Sequence, residues 1–282
     1  MNFRILLILS VLSGFFCFSQ EDLLKELDTV KASEIYQPSF KALQVVSGQS
    51  TKMPTKKEFY MIVAHRFGNV SEGFDNFFGL DNASTKLGGI YGLSDGFAVY
   101  LSRSTFQKTY ELGAKYRLMK QDEEKNLPLE IAGFHMLGIN SELKKSVYPK
   151  IRFSDRLTYL SQFLVSRRFS DEFSLQISPT YIHKNLVDPL IESESNFLTG
   201  LGGRYKISKR VSINAEYFVN FNAKDLYRNP VSLGVDIDTG GHVFQLLFSN
   251  SQAVTEAGYY TNAIGNWGKG DVFFGFNLYR VF

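Results

Sequence analysis

From Lys57 to the last residue the sequence breaks into about twelve short segments of roughly nine to twelve residues, each alternating between two faces with period two. Tyr110, Leu112, Ala114, Tyr116 and Leu118 alternate with Glu111, Gly113, Lys115, Arg117 and Met119. Val211, Ile213, Ala215, Tyr217 and Val219 alternate with Ser212, Asn214, Glu216, Phe218 and Asn220. Period two with one apolar face is the signature of a strand that is greasy on one side only. The connections add a rhythm. Those at 69–84, 141–155, 184–196, 222–230 and 249–270 are long, while those at 94–96, 170–171, 208–210 and 238–241 are short. The connection at 122–128 is moderate, and the one at 105–108 is short where a long one is due. Sorting by parity is what a membrane β-barrel produces, with long loops on one side and tight turns on the other. A soluble sandwich has no reason to do so. The pattern predicts an all-β fold: a transmembrane, antiparallel, up-and-down barrel of about twelve strands.

The last segment, Asp271-Val-Phe-Phe-Gly-Phe-Asn-Leu-Tyr-Arg-Val-Phe282, has Phe274, Phe276 and Leu278 on one face with Arg280 and closes on Phe282. Gly275, Asn277 and Tyr279 take the other face. In a soluble protein such an edge would promote aggregation; a closed barrel has no edge. Phe282, Leu278 and Phe276 are therefore expected to form the assembly signal read by the barrel-assembly machinery.

The N-terminus is consistent with export. Arg4 precedes an apolar run over residues 5–16, and Cys17-Phe18-Ser19 offers small residues for cleavage after Ser19. This predicts a signal peptide over residues 1–19, too short to span a membrane as a helix. Lipidation at Cys17 is the other use of that residue, but bulky Phe16 beside it argues against it. Cleavage leaves a chain without cysteine, because Cys17 is the single one in the sequence, and so without thiol chemistry. Arg4 leaves too, so 31 basic residues become 30 against 28 acidic ones, a balance that excludes nucleic acid.

Residues 20–56 do not join the strand pattern. Leu23, Leu24, Leu27 and Val30 have helical spacing, and Ser39-Phe-Lys-Ala-Leu-Gln-Val-Val-Ser-Gly-Gln-Ser50 reads as an extended piece ending in a turn. This region is expected to be a periplasmic extension or a partial plug in the mouth of the barrel, which then occupies 57–282.

One block carries a resemblance. It comprises Val45-Val46-Ser47-Gly48-Gln49-Ser50, His65-Arg66-Phe67-Gly68, Phe78-Gly79-Leu80-Asp81, Tyr91-Gly92, Arg103-Ser104, Lys108-Thr109-Tyr110-Glu111, Lys115-Tyr116-Arg117-Leu118 and Gln121. These motifs, within residues 40–121, resemble the outer-membrane barrels grouped as domain of unknown function 5777. The resemblance implies the fold and the location and brings no activity with it.

Arg66, Glu111, Lys115, Arg117, Arg204, Glu216 and Asp236 fall on the non-apolar faces of their segments and are the candidate lumen-lining groups. Charges of both signs inside a narrow barrel have two readings. They form an internal network that fills the bore, or they line a solute path and set its charge preference. Enzyme chemistry has little support. His65, His135, His183 and His242 lie in no sequence setting that brings a serine and an orienting group together. No two histidines have metal-ligand spacing. Asp236 and Asp238 precede the turn Thr239-Gly240-Gly241, and turn solvation accounts for them better than calcium. No cofactor is expected. The sequence therefore predicts a non-enzymatic outer-membrane barrel, embedded in outer-membrane lipids, that passes small solutes. The alternative is a non-conducting structural or partner-binding barrel acting through its loops, and a lipid hydrolase is a remote third. Monomer and small homo-oligomer are equally compatible with the sequence.

Overall fold

The computed structural model describes residues 38–122 and 125–282. The expected signal peptide and the helical spacing over Leu23–Val30 lie outside these residues. Twelve antiparallel strands close into one barrel in simple chain order, and the last pairs with the first. They are β1 (Phe59–Asn69), β2 (Ala83–Ser94), β3 (Phe97–Ser104), β4 (Thr109–Met119), β5 (Glu130–Asn140) and β6 (Leu157–Arg168). The second half comprises β7 (Phe173–Lys184), β8 (Ser195–Lys206), β9 (Val211–Asn220), β10 (Val231–Asp238), β11 (His242–Ser249) and β12 (Phe273–Val281).

The alternation seen in sequence becomes the two faces of the wall. On β3, Phe97, Val99 and Leu101 are exposed while Ala98, Tyr100, Ser102 and Ser104 are buried. On β9, Ile213 and Tyr217 point out, and Ser212, Asn214, Glu216 and Phe218 point in. A one-residue slip would invert both faces, so the membrane on one side and the packed bore on the other fix the register. Closure is tight at the seam. Phe59 and Phe282 exchange backbone hydrogen bonds, Phe59 N to Phe282 O at 3.1 Å and Phe282 N to Phe59 O at 2.9 Å.

With an even number of strands, the start of β1 and the end of β12 share one rim, here the terminal rim. It also carries the β2–β3, β6–β7, β8–β9 and β10–β11 turns and the β4–β5 connection. The opposite, loop rim carries the remaining connections. The β3–β4 connection at 105–108 is as short as the sequence indicated, with Gln107 and Lys108 both at positive φ.

Two segments fill the interior. Residues 38–54 form a hairpin that enters at the terminal rim, turns over 45–48 and returns. Its arms are tied by a bridge between Gln44 and Gln49 and by Val45 N to Gly48 O at 2.8 Å. Phe40, Val45 and Val46 pack on Leu247, and Ala42, Leu43 and Met53 join the main apolar cluster around Phe134 and Leu160. From the loop rim, the β11–β12 connection folds inward. Its short helix α1 (Glu256–Thr261) is buried at every residue and is capped by Thr255, whose hydroxyl accepts from Gly258 N. The sequence pattern pointed to an external loop here. Ala253, Val254, Ala257, Tyr259 and Tyr260 give the segment an apolar surface that water does not favour, and the bore takes it up.

Candidate functional site in the bore

Six of the seven candidate lumen residues are buried in the bore: Arg66, Glu111, Lys115, Arg204, Glu216 and Asp236 are each between 0 % and 7 % exposed. Arg117 is half-buried near the terminal rim. There its Nε lies 3.4 Å from Glu130 Oε1 and its Nη1 donates to Asp95 O at 3.0 Å. A register shift between Arg117 and Met119 in the β4–β5 pairing sits at this point.

The seven do not form one cluster; they divide according to what neutralises them. Glu111 belongs to a network on the side of β2–β4. Lys86 Nζ sits 2.8 Å from Glu256 Oε1 and 4.0 Å from Glu111 Oε2. Glu111 also accepts from Ser102 Oγ at 2.7 Å, from Tyr100 OH at 3.1 Å and from the backbone N–H of Glu256 at 2.6 Å. Two acids, one ammonium and several neutral donors thus pin α1 to the wall. Sequence reasoning missed Lys86 and Glu256. Lys86 follows the polar tip Ser84-Thr85, which carries no apolar signal, and Glu256 falls within the long connection expected at 249–270.

The remaining groups bind the hairpin. Lys115, fully buried, donates to Gln49 Oε1 at 3.1 Å and Leu43 O at 3.4 Å. Arg66 donates to Asn277 Oδ1 at 2.9 Å and Ser47 Oγ at 3.2 Å, and Arg204 donates to Ser39 O at 3.2 Å. Glu216 accepts from Ser47 N at 2.7 Å and Gly48 N at 2.9 Å. Asp236 meets Gln245 Nε2 at 2.7 Å, and the same amide nitrogen donates to Val45 O at 2.8 Å. Neutral side chains complete the grip. Gln176 bonds both Gln49 O and Thr51 N, Asn277 bonds Val46 O, and Tyr279 OH donates to Gln44 Oε1 at 2.7 Å. The space left between the hairpin, α1 and the β1–β3 wall is about 10 Å³, about the size of one water. Burial pushes the phenols of Tyr259 and Tyr260 on α1 well above the ordinary value, so both act as neutral partners.

The family model of a membrane-bound β-barrel domain, domain of unknown function 5777, matches residues 40–282. The chain belongs to this family. In this member of the family the match extends well beyond the motif block at 40–121 to the final strand, and it takes in the bore hairpin. No curated protein matches the sequence. Among solved structures, the chain is similar to the KdgM porin (TM-score 0.50, 10% identity, covering 79% of this chain and 99% of that one). It is also similar to the NanC porin (0.49, 10%, 79% and 98%) and to an outer-membrane channel from Pseudomonas putida (0.47, 11%, 82% and 97%).

The histidines turn out to have hydroxyl neighbours that sequence spacing did not reveal, because they lie across strand pairs. His135 Nδ1 is 2.9 Å from Ser161 Oγ, with Tyr116 OH 3.0 Å from its Nε2. His183 Nδ1 is 2.9 Å from Ser195 Oγ, and His65 Nδ1 is 2.8 Å from Thr85 Oγ1. All three sit on the outward face, where a hydroxyl across the pair satisfies a ring nitrogen that lipid cannot. Around the seam, His65 stacks on Phe276 at 5.4 Å, and Arg280 lies over the Phe282 ring at 4.6 Å. Phe276 and Leu278 take the same outward face of β12.

Proposed function

We propose that this protein is an outer-membrane channel closed at rest by its own N-terminal hairpin, and that a small-solute path opens when the hairpin leaves the bore. The terminal rim is assigned to the periplasm and the loop rim to the exterior, with export by a signal peptide cleaved after Ser19 and insertion by the barrel-assembly machinery into outer-membrane lipid. One observation carries the reading. The inner wall is polar on nearly every strand, yet a separable segment satisfies much of it by hydrogen bonds rather than by opposing wall residues. Lys115, Arg66, Glu216 and the amides of Gln176, Gln245 and Asn277 all reach the hairpin. A wall meant only to be filled is served better by apolar side chains, since polar groups must each find a partner. Without residues 38–54 the wall they cover would face water, in a bore that is narrow at twelve strands and that α1 narrows further from the loop rim. The likeness in fold to a barrel named as a porin, KdgM, is in keeping with this.

The test is conductance in planar bilayers. The full chain should be silent, and a variant lacking residues 38–54 should fold and conduct. A folded but silent deletion variant would instead support the second reading, a non-conducting barrel that acts through its loops. The Lys86–Glu111–Glu256 network, which closes the bore from the other rim, favours that alternative. We read the outward Ser–His pairs as structural, because the second nitrogen of His135 meets a phenol, Tyr116 OH at 3.0 Å, where a triad needs a carboxylate. The protein is not assigned an enzymatic role.

A further inference from the structure

We propose that the tip of the bore hairpin is a carboxylate-binding site, occupied in the closed barrel by Glu216, and that small carboxylate-bearing solutes compete for it and release the hairpin. This deepens the gated reading and rests on it only for the consequence of release; the binding itself does not require a channel.

Three consecutive backbone N–H groups converge on one carboxylate. Ser47 N and Gly48 N reach Glu216 Oε1 at 2.7 and 2.9 Å, and Gly48 N and Val46 N reach Oε2 at 3.2 and 3.3 Å. Successive N–H groups in a tight turn make an anion-binding concavity. Glu216 is 3 % exposed and has no cation within 4 Å among the described residues, so its carboxylate is met by this turn and by the Tyr259 phenol. The turn is built for close approach. A Cβ on Gly48 would lie 3.0 Å from Phe218 Cζ and from Tyr260 OH and 3.1 Å from Glu216 Oε2, so glycine lets these atoms come this near.

A second recognition group borders the same turn. Arg66 is 2 % exposed and donates to Ser47 Oγ, Asn277 Oδ1 and two backbone carbonyls, and no carboxylate lies within salt-bridge distance of it among the described residues. Its Nε is buried without an acceptor. A guanidinium with a free donor beside three convergent N–H groups offers the set that recognises carboxylates in general. Gln245, Asn277, Gln176 and Tyr279 bond neutral oxygens of the hairpin. Water replaces such bonds at small net cost, whereas bonds to an ionised group are roughly twice as strong. Charge-assisted contacts therefore hold the hairpin: Glu216 at its tip, Lys115 and Arg204 on its arms, Thr51 Oγ1 to Glu130 Oε2 at 3.1 Å and Lys41 to Asp238 at 3.1 Å, and of these Glu216 is the one that gathers three backbone N–H groups.

The experiment uses the full chain with Cys17→Ser and Ala42→Cys, because Ala42 is 1 % exposed on the hairpin. A hydrophilic maleimide reads its exposure in lipid vesicles. At equal ionic strength and pH, sodium acetate should accelerate labelling about tenfold over sodium chloride. Adding Glu216→Gln should give the fast rate in chloride already, with no further gain from acetate. Labelling that ignores acetate while Glu216 is intact would overturn the proposal, whether or not the Gln variant folds. The conductance of the 38–54 deletion is read separately. If the deletion conducts but labelling ignores acetate, the carboxylate site fails and the channel stands. If acetate accelerates labelling but the deletion is silent, the site stands and the channel fails.

Discussion

At the scale of single residues, the inward or outward side of each charge was legible from parity, but its partner was not. Lys115 alternates with Ala114 and Tyr116, and that is enough to turn it inward. Its acceptors, Leu43 O and Gln49 Oε1, lie 72 and 66 residues away along the chain on a segment without strand periodicity. The same limit hid the Ser161 and Ser195 partners of His135 and His183, because cross-strand register is a property of the closed sheet and not of any one segment. The environment of Lys115 leads to a sharp expectation. Lys115→Glu replaces a donor with a carboxylate facing two oxygens, Leu43 O and Gln49 Oε1. An uncompensated charge at a fully buried site costs about 3–5 kcal/mol, so the denaturant midpoint of the reconstituted barrel should fall markedly. Lys115→Met, similar in length and without charge, should cost far less. Equal midpoints for the two variants would mean that water reaches this site and that the bore is already open.

At the scale of elements, all twelve strands were visible in the sequence, with ends displaced by a few residues where polar strand tips look like loop. β2 starts at Ala83, inside the connection expected at 69–84, because Ser84 and Thr85 carry no apolar signal. Helix α1 was not visible, because an external loop and a segment that folds back into the bore have the same length and parity. Only its apolar content distinguishes them. The last strand closes the barrel against the first. Residue 282 forms a two-way backbone pair with Phe59, and the two rings lie 6.1 Å apart. Deleting Phe282 therefore removes both hydrogen bonds that tie the end of β12 to the start of β1 and the last outward aromatic of the seam. In cells the deletion should reduce the heat-modifiable folded form on gels several-fold, while Phe282→Tyr, which keeps an aromatic ring there, should assemble near normally. Full assembly of the deletion would show that recognition of the final strand lies elsewhere, in Phe276 and Leu278.

At the scale of the whole molecule, parity of connection lengths and closure of an even-stranded barrel make one joint statement about orientation. Both ends of the barrel lie on the terminal rim, beside the tight turns, and the hairpin enters from that rim, where Lys41 pairs with Asp238 at 3.1 Å. Outer-membrane barrels carry their tight turns on the periplasmic side, and that is the ground on which the terminal rim is assigned to the periplasm. A tag within 250–265 would be a poor probe of this, because that stretch packs inside the bore and its disruption would unseat the Lys86–Glu256 contact. The β7–β8 connection is better suited, since Leu190 is 86 % exposed. An epitope inserted beside Leu190 should be labelled on intact cells, and one beside Lys209 in the exposed β8–β9 turn only after the outer membrane is permeabilised. The reverse pattern would put the loop rim in the periplasm. The hairpin would then open towards the exterior, and the assignment of the terminal rim to the periplasm would fall.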